Sequence, residues 1–203
     1  MPLFPLPNVV LFPQMPMPLH IFEGRYCKMV TDVLSAQRVI GMVLLQPGWE
    51  ASYKGRPAVY AVGCAGRVEQ CEPLDDGRFN IVLRGLSRFR IVQEHGGEPY
   101  RMASVEPLAD AVSDPDRLEE ARRRLLQAIG RASDGPALLV TQPELPHELF
   151  VNALSQSLNL TPVEKQSLLD CDGIDARYER LLEILDFRQL EDTYGRRGDK
   201  NVH

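Results

Sequence analysis

The chain has 203 residues, 44% of them hydrophobic and 25% charged, with a net charge of −5 at pH 7 and an isoelectric point near 5.4. These values exclude a disordered or collagen-like chain. The acidic balance also opposes a large nucleic-acid footprint, while leaving room for a local basic face.

Six of the 16 prolines fall within the first 18 residues. Proline has no N–H for a central ladder, so this opening is expected to run extended along a sheet edge. Phe22, Tyr26, Met29, Val30, Val33 and Leu34 then recur at helical spacing, which predicts one amphipathic helix from Glu23 to Gln37. Val39 to Leu45 is an apolar run of strand length, and Val59 to Cys71 alternates but is broken by Gly63 and Gly66, the pattern of a strand with a bulge. Asp75-Asp76-Gly77 marks a hairpin turn. Phe79, Ile81 and Leu83 alternate beyond it, Gly85 is read as ending that strand, Phe89 to Val92 resumes it, and a last strand covers Tyr100 to Val105. Strands this short and closely spaced imply a small barrel or folded-over sheet, with no parallel βαβ unit before Asp110.

Near Asp110 the period changes from two to 3.6. Up to Ala109 there are 11 basic and 10 acidic residues; from Asp110 onward there are 12 and 18, in longer periodic segments. Ser113 with Asp114-Pro115-Asp116 opens a helix whose stripe is Leu118, Ala121, Leu125, Ala128, Ile129 and Ala132, and Ser133 to Pro136 ends it. Leu149, Phe150, Ala153, Leu154 and Leu158 mark the next. Thr161-Pro162-Val163-Glu164 is a capping box leading into a short helix through Leu169. Ile174, Tyr178, Leu181, Leu182 and Leu185 define the last, closing near Gly195. The expected domains are residues 1–109, β-rich with one helix, and 110–194, a helical bundle, followed by a mobile tail at 195–203.

Motifs that carry chemistry are missing. None of the lysines (Lys28, Lys54, Lys165, Lys200) ends a phosphate-cradling glycine loop, and no G-x-S-x-G, H-E-x-x-H or G-x-G-x-x-G occurs. Cys27, Cys64, Cys71 and Cys171 form no C-x-x-C pair and are expected as buried free thiols. No enzyme activity, cofactor or metal is expected. His20 reads either as an acid–base residue or as a structural anchor of its turn. Arg84, Arg88 and Arg90 read either as a phosphate-binding face or as a solvated strand face. Trp49 and Tyr53 occupy a loop, Gln46 to Pro57, without strand or helix pattern; the only tryptophan is there either an interface anchor or a plug. The opening lacks a basic region before an apolar stretch, and no window reaches the roughly 18 apolar residues of a membrane span. A cytoplasmic protein with no membrane partner is expected.

The order of motifs resembles the amino-terminal substrate-binding domain of Lon proteases. Leu3-Phe4-Pro5-Leu6-Pro7-Asn8-Val9-Val10-Leu11-Phe12-Pro13 carries the likeness, followed by Pro18 to Glu23 with Arg25-Tyr26. Val62 to Val68, Asp76 to Ile81, Arg84-Gly85, Arg88-Phe89, Pro99-Tyr100 and Val105-Glu106 continue it, and Leu160 to Leu169 extends it into the helical part. The resemblance covers residues 1 to 192. It implies an α+β fold, a PUA-like β pseudobarrel followed by a carboxy-terminal helical bundle, in a free-standing member without the ATPase and peptidase modules. It also implies a noncatalytic module that binds proteins or unfolded peptides, with an adaptor role in protein quality control. The expected site is Trp49 and Tyr53 with Arg84 and Arg88. The alternative is RNA binding through the β-rich half, with Arg78, Arg84, Arg88 and Arg90 on phosphates.

Overall fold

The computed structural model describes residues 1–53, 55–96, 99–111, 114–131 and 144–198. The x-Pro steps keep the opening extended, and it forms two strands. Strand β1 (Pro2–Leu6) runs parallel to β3 (Val39–Leu44), with Leu3 opposite Gly41 and Leu6 opposite Leu44. It also pairs antiparallel with β6 (Arg101–Leu108) at Pro2 and Leu3. β1 is thus interior, which corrects the edge expectation; Pro5 is tolerated because it falls beyond the last rung with β6. Strand β2 (Pro16–Ile21) is the true edge, pairing with β5 (Phe79–His95).

Helix α1 (Gly24–Leu34) buries Tyr26, Met29, Val30 and Val33 and stops short of Gln37. Phe22, expected on that stripe, is 64% exposed because it precedes the first turn; its ring stacks on His20 at 6.1 Å. Since α1 lies between the parallel strands β1 and β3, a parallel crossover does occur before Asp110, against expectation.

Strands β4 (Val62–Pro73) and β5 are joined by a turn in which Gly77 N–H donates to the Leu74 carbonyl at 3.0 Å. β4, at 12 residues, matches the expected strand and its bulge, whereas β5, at 17, is much longer than expected, because bulges let it continue where the alternation breaks. The ladder with β4 skips Leu86 on β5 and Glu69 on β4, and the ladder with β6 skips Val92. Gly85 therefore sits inside the strand and does not end it. Leu86 and Val92 are the exposed apolar residues of β5, each displaced from the ladder by its bulge.

The sheet order is β2-β5-β4-β3-β1-β6, and β6 pairs again with β5 from Leu108 opposite Arg88 to Met102 opposite His95. The succession of pairings thereby returns to β5. Leu3, Val43, Phe89 and Ala103 form a buried cluster inside it, supported by Met1, Val59, Ile91 and Val105.

The chain divides into two compact units, Met1–Ala109 with Thr161–Leu169, and Asp110–Leu160 with Asp170 onward. Helix α4 (Pro162–Leu169), expected in the helical bundle, is thus grouped with the first unit. The reason is polar as well as apolar: Gln166 Nε2 donates to the Val62 carbonyl at 3.1 Å, and Leu168 and Leu169 are buried. Its capping box forms in both directions, with Thr161 N–H to Glu164 Oε2 at 2.6 Å and Glu164 N–H to Thr161 Oγ1 at 3.2 Å.

The second unit contains α2 (Pro115–Arg131), α3 (His147–Ser157) and α5 (Ile174–Gly198). Asp114 opens α2, its Oδ1 accepting from Asp116 N–H at 3.0 Å. The expected cap Ser113, the stripe residue Ala132 and the stop at Ser133 to Pro136 lie outside the described residues. Helix α5 passes through Gly195 instead of closing there, and the rest of the expected tail, 199–203, lies outside the described residues. Buried Arg177 ties this unit together, with Nη1 on Asn152 Oδ1 at 2.7 Å and Nη2 on Asp110 Oδ1 at 3.3 Å. Of the cysteines only Cys64 is buried; Cys27, Cys71 and Cys171 are partly exposed, which corrects the expectation of four buried thiols.

Candidate functional site

The loop between β3 and β4 is short of regular structure but well tied. Gln46 N–H donates to the Ala58 carbonyl at 2.9 Å and Leu45 bridges Val59, closing its base. Arg101 Nη1 holds the Pro57 carbonyl at 2.7 Å, and both terminal nitrogens of Arg56 reach the His95 carbonyl at 3.2 Å. At its tip Gly48 adopts φ +87°, a left-handed conformation favourable to glycine, and turns the chain into a 3-10 helix, Trp49–Ser52. This places Trp49 edge-on to Tyr53, with ring centroids 5.4 Å apart at 65°. Trp49 is half-buried.

Tyr53 fastens the tip to the start of α1. Its hydroxyl donates to Glu23 Oε1, while Glu23 Oε2 accepts from Arg25 Nε at 3.1 Å and Nη2 at 3.0 Å. The Arg25 guanidinium lies over the Tyr26 ring at 4.6 Å and the Tyr53 ring at 5.1 Å. Burial, then the neighbouring Glu23 carboxylate, pushes the Tyr53 phenol up, and burial pushes Tyr26 up to about 12. Both remain proton donors at neutral pH. Under the loop only about 10 Å³ of cavity remains between Pro5, Tyr26, Leu45, Tyr53 and Pro57, about one water-sized sphere. An open recess of about 350 Å³ is lined by Glu50, Ala51, Ser52, Tyr53 and Gly55.

The two arginines of the expected site are not on one face. Arg84 is partly exposed, paired with Glu69 at 3.2 Å and donating to the Gln14 carbonyl at 2.9 Å. Arg88 is 3% exposed and its Nη1 donates to the Leu169 carbonyl at the carboxy-terminal end of α4, 3.2 Å away. The Leu86 bulge between them changes the strand's parity, so residues four apart point differently. Trp49 and Tyr53 are thus brought together, whereas Arg88 is turned inward as a bracket for α4. Arg88→Ala is expected to lower stability by about 1.5–3 kcal/mol, the range for hydrogen bonds to charged groups, as read from chemical denaturation.

The other arginines are matched with acids. Arg78 Nε meets Asp76 Oδ2 at 2.6 Å and Arg90 Nε lies 3.8 Å from Glu106. Such pairing flattens the positive field a phosphate backbone would need. His20 stands as a structural anchor: its Nδ1 is 2.8 Å from Asn80 Oδ1, and Arg78 Nη1 approaches its Nε2 at 3.3 Å. These groups border a hollow of about 500 Å³ over β2, β5 and β4, where His20, Asn80 and Glu72 stand in one row of the register. Sequence reasoning missed this hollow, whose one visible signal was the strand alternation. The hollow exceeds the recess beside Tyr53, yet its polar groups bind one another, Asn80 Nδ2 reaching Glu72 Oε2 at 3.1 Å. Glu23 and Arg25 were also missed, since Tyr53 lies thirty residues away in sequence.

Among the described residues, no three His, Cys, Asp or Glu side chains gather as a metal site, and no helix is long and apolar enough to cross a membrane.

The profile of the ATP-dependent protease La (LON) substrate-binding domain matches residues 1–186. The Lon protease of Flavobacterium johnsoniae is 26% identical over 203 aligned residues, covering 94% of this chain and 24% of the relative. Lon protease 1 of Herpetosiphon aurantiacus is 30% identical, covering 90% of this chain and 24% of its own. The chain thus spans about a quarter of the length of these relatives. Among solved structures, a Lon N-terminal domain protein from Xanthomonas campestris superposes with a TM-score of 0.66 at 27% identity, covering 90% of this chain and 96% of that one. The N-terminal domain of Mycobacterium avium complex Lon protease shares the fold, with a TM-score of 0.71 at 14% identity and coverage of 91% and 97%.

Proposed function

Because the chain belongs to the family of ATP-dependent protease La (LON) substrate-binding domains, we propose that it captures unfolded polypeptide through the loop bearing Trp49 and Tyr53 and performs no chemistry of its own. The observation carrying this reading is the aromatic pair held on a tied-down loop beside an open recess. Rigid aromatic side chains offer large contact area at small entropic cost, which is what an anchor requires. An extended peptide would lay one apolar side chain against Trp49, with Arg84 as a peripheral polar contact. Arg88 contributes through the fold, by holding α4.

In the same reading the succession β5-β4-β3-β1-β6, with β6 returning to β5, is a PUA-like pseudobarrel that carries the binding surface. An adaptor role in protein quality control follows from capture without hydrolysis.

The test uses reduced, carboxymethylated ribonuclease A, a permanently unfolded polypeptide that lacks tryptophan. Trp49→Ala should weaken its binding by about 2 kcal/mol, roughly 30-fold, in calorimetric titration. Thermal unfolding of the same sample should change little. Unchanged affinity with a drop of about 3–5 kcal/mol in stability would make Trp49 a core residue and remove it from the site. Weak dependence on salt is expected throughout; a steep loss, with competition by RNA, would favour the nucleic-acid alternative.

A further inference from the structure

Glu23 occupies the cap position of α1, yet its side chain makes no capping bond to the helix. One carboxylate oxygen instead accepts from the Tyr53 hydroxyl of the loop and the other from Arg25 in the first turn of α1. Arg25 completes the arrangement by lying over two tyrosine rings at once, a placement that needs its flat guanidinium. Tyr53 in turn sets the edge on which Trp49 rests.

Resting on the capture reading above, we propose that Glu23 and Arg25 are positioning residues: they hold Tyr53, and through it Trp49, in the receptive orientation before polypeptide arrives, and so set affinity without touching the ligand. Ordering these side chains in advance removes an entropic cost that binding would otherwise carry. The phenol's raised pKa keeps it a donor to Glu23 across the neutral range. The chain's single tryptophan makes the effect directly visible, because all indole fluorescence reports on this loop.

The experiment compares Glu23→Ala, Glu23→Gln and Arg25→Lys with the unaltered protein. Acrylamide quenching of Trp49 is measured without ligand, and affinity for carboxymethylated ribonuclease A is measured on the same samples, with thermal unfolding as the control for folding. Glu23→Ala should raise the quenching constant about twofold and weaken binding about 5- to 10-fold, the scale of one or two side chains left to be ordered on binding. Glu23→Gln, which still accepts from the phenol, should recover much of both. Arg25→Lys keeps the charge but not the double stacking and should fall between them. If quenching in Glu23→Ala equals that of the unaltered protein, the positioning role is overturned while the capture site at Trp49 stands. If quenching rises but affinity is unchanged in Glu23→Ala and in Trp49→Ala alike, the loop is outside the binding surface and both readings fall.

Discussion

Gly85→Ala is expected to destabilise the protein by about 3 kcal/mol, the upper end of what forced overpacking costs. A methyl group at this position would stand 2.0 Å from the Phe12 carbonyl oxygen, 2.9 Å from its carbon and 3.1 Å from Pro13 Cα, all backbone atoms that cannot rotate aside. The segment that would have to move is itself bonded to Gly85: Gly85 N–H donates to the Met15 carbonyl at 3.0 Å and Gln14 N–H to the Gly85 carbonyl at 2.9 Å. Relieving the clash therefore breaks hydrogen bonds worth about 1 kcal/mol each. Gly24, with nothing within 4 Å of the same added atom, is the control; Gly24→Ala should be neutral or slightly stabilising. Denaturant midpoints of the two variants decide the matter, and equal midpoints would contradict the packing described at Gly85.

Arg177→Met should cost about 3–5 kcal/mol, as breaking a buried charged network does. The guanidinium is fully buried and joins Asn152 on α3 to Asp110 at the start of the second unit. Methionine fills much of the volume but supplies no donors, so the buried Asn152 Oδ1 loses its 2.7 Å bond to the guanidinium. Replacing Asn152 by Leu and Asp110 by Asn alongside Arg177→Met should recover a large part of the loss, because the cost comes from stranding the partners. Helical circular dichroism during thermal unfolding reads both variants. A single substitution that leaves the midpoint unchanged would show that the network contributes nothing.

What the sequence reveals depends on how local the determinant is. The capping box at Thr161 and Glu164 is legible because both partners lie within one turn, and both bonds form. The turn at Asp75-Asp76-Gly77 is equally local. Phe22 continues the helical spacing on paper, but the helix begins only after it, at Gly24. The length of β5 is hidden for another reason: a bulge is a relation between two strands, and Gly85 reads as a break until β4 is beside it. The same bulge hid the fate of Arg88, which the alternation grouped with Arg84 and the fold turns inward. Of the candidate site, the aromatic loop was legible from composition, but its fastening to Glu23 and Arg25 was not, since nothing near residue 53 in sequence announces a partner near residue 23.

The central claim, that unfolded polypeptide is received at the Trp49–Tyr53 loop, is tested most directly by Trp49 fluorescence during titration with carboxymethylated ribonuclease A. The probe has no tryptophan, so every change in indole emission belongs to this one residue. The account predicts a saturable blue shift, with reduced acrylamide quenching, that follows the calorimetric binding curve as the indole loses water to an apolar side chain. Binding that saturates by calorimetry while Trp49 emission and quenching stay constant would contradict it.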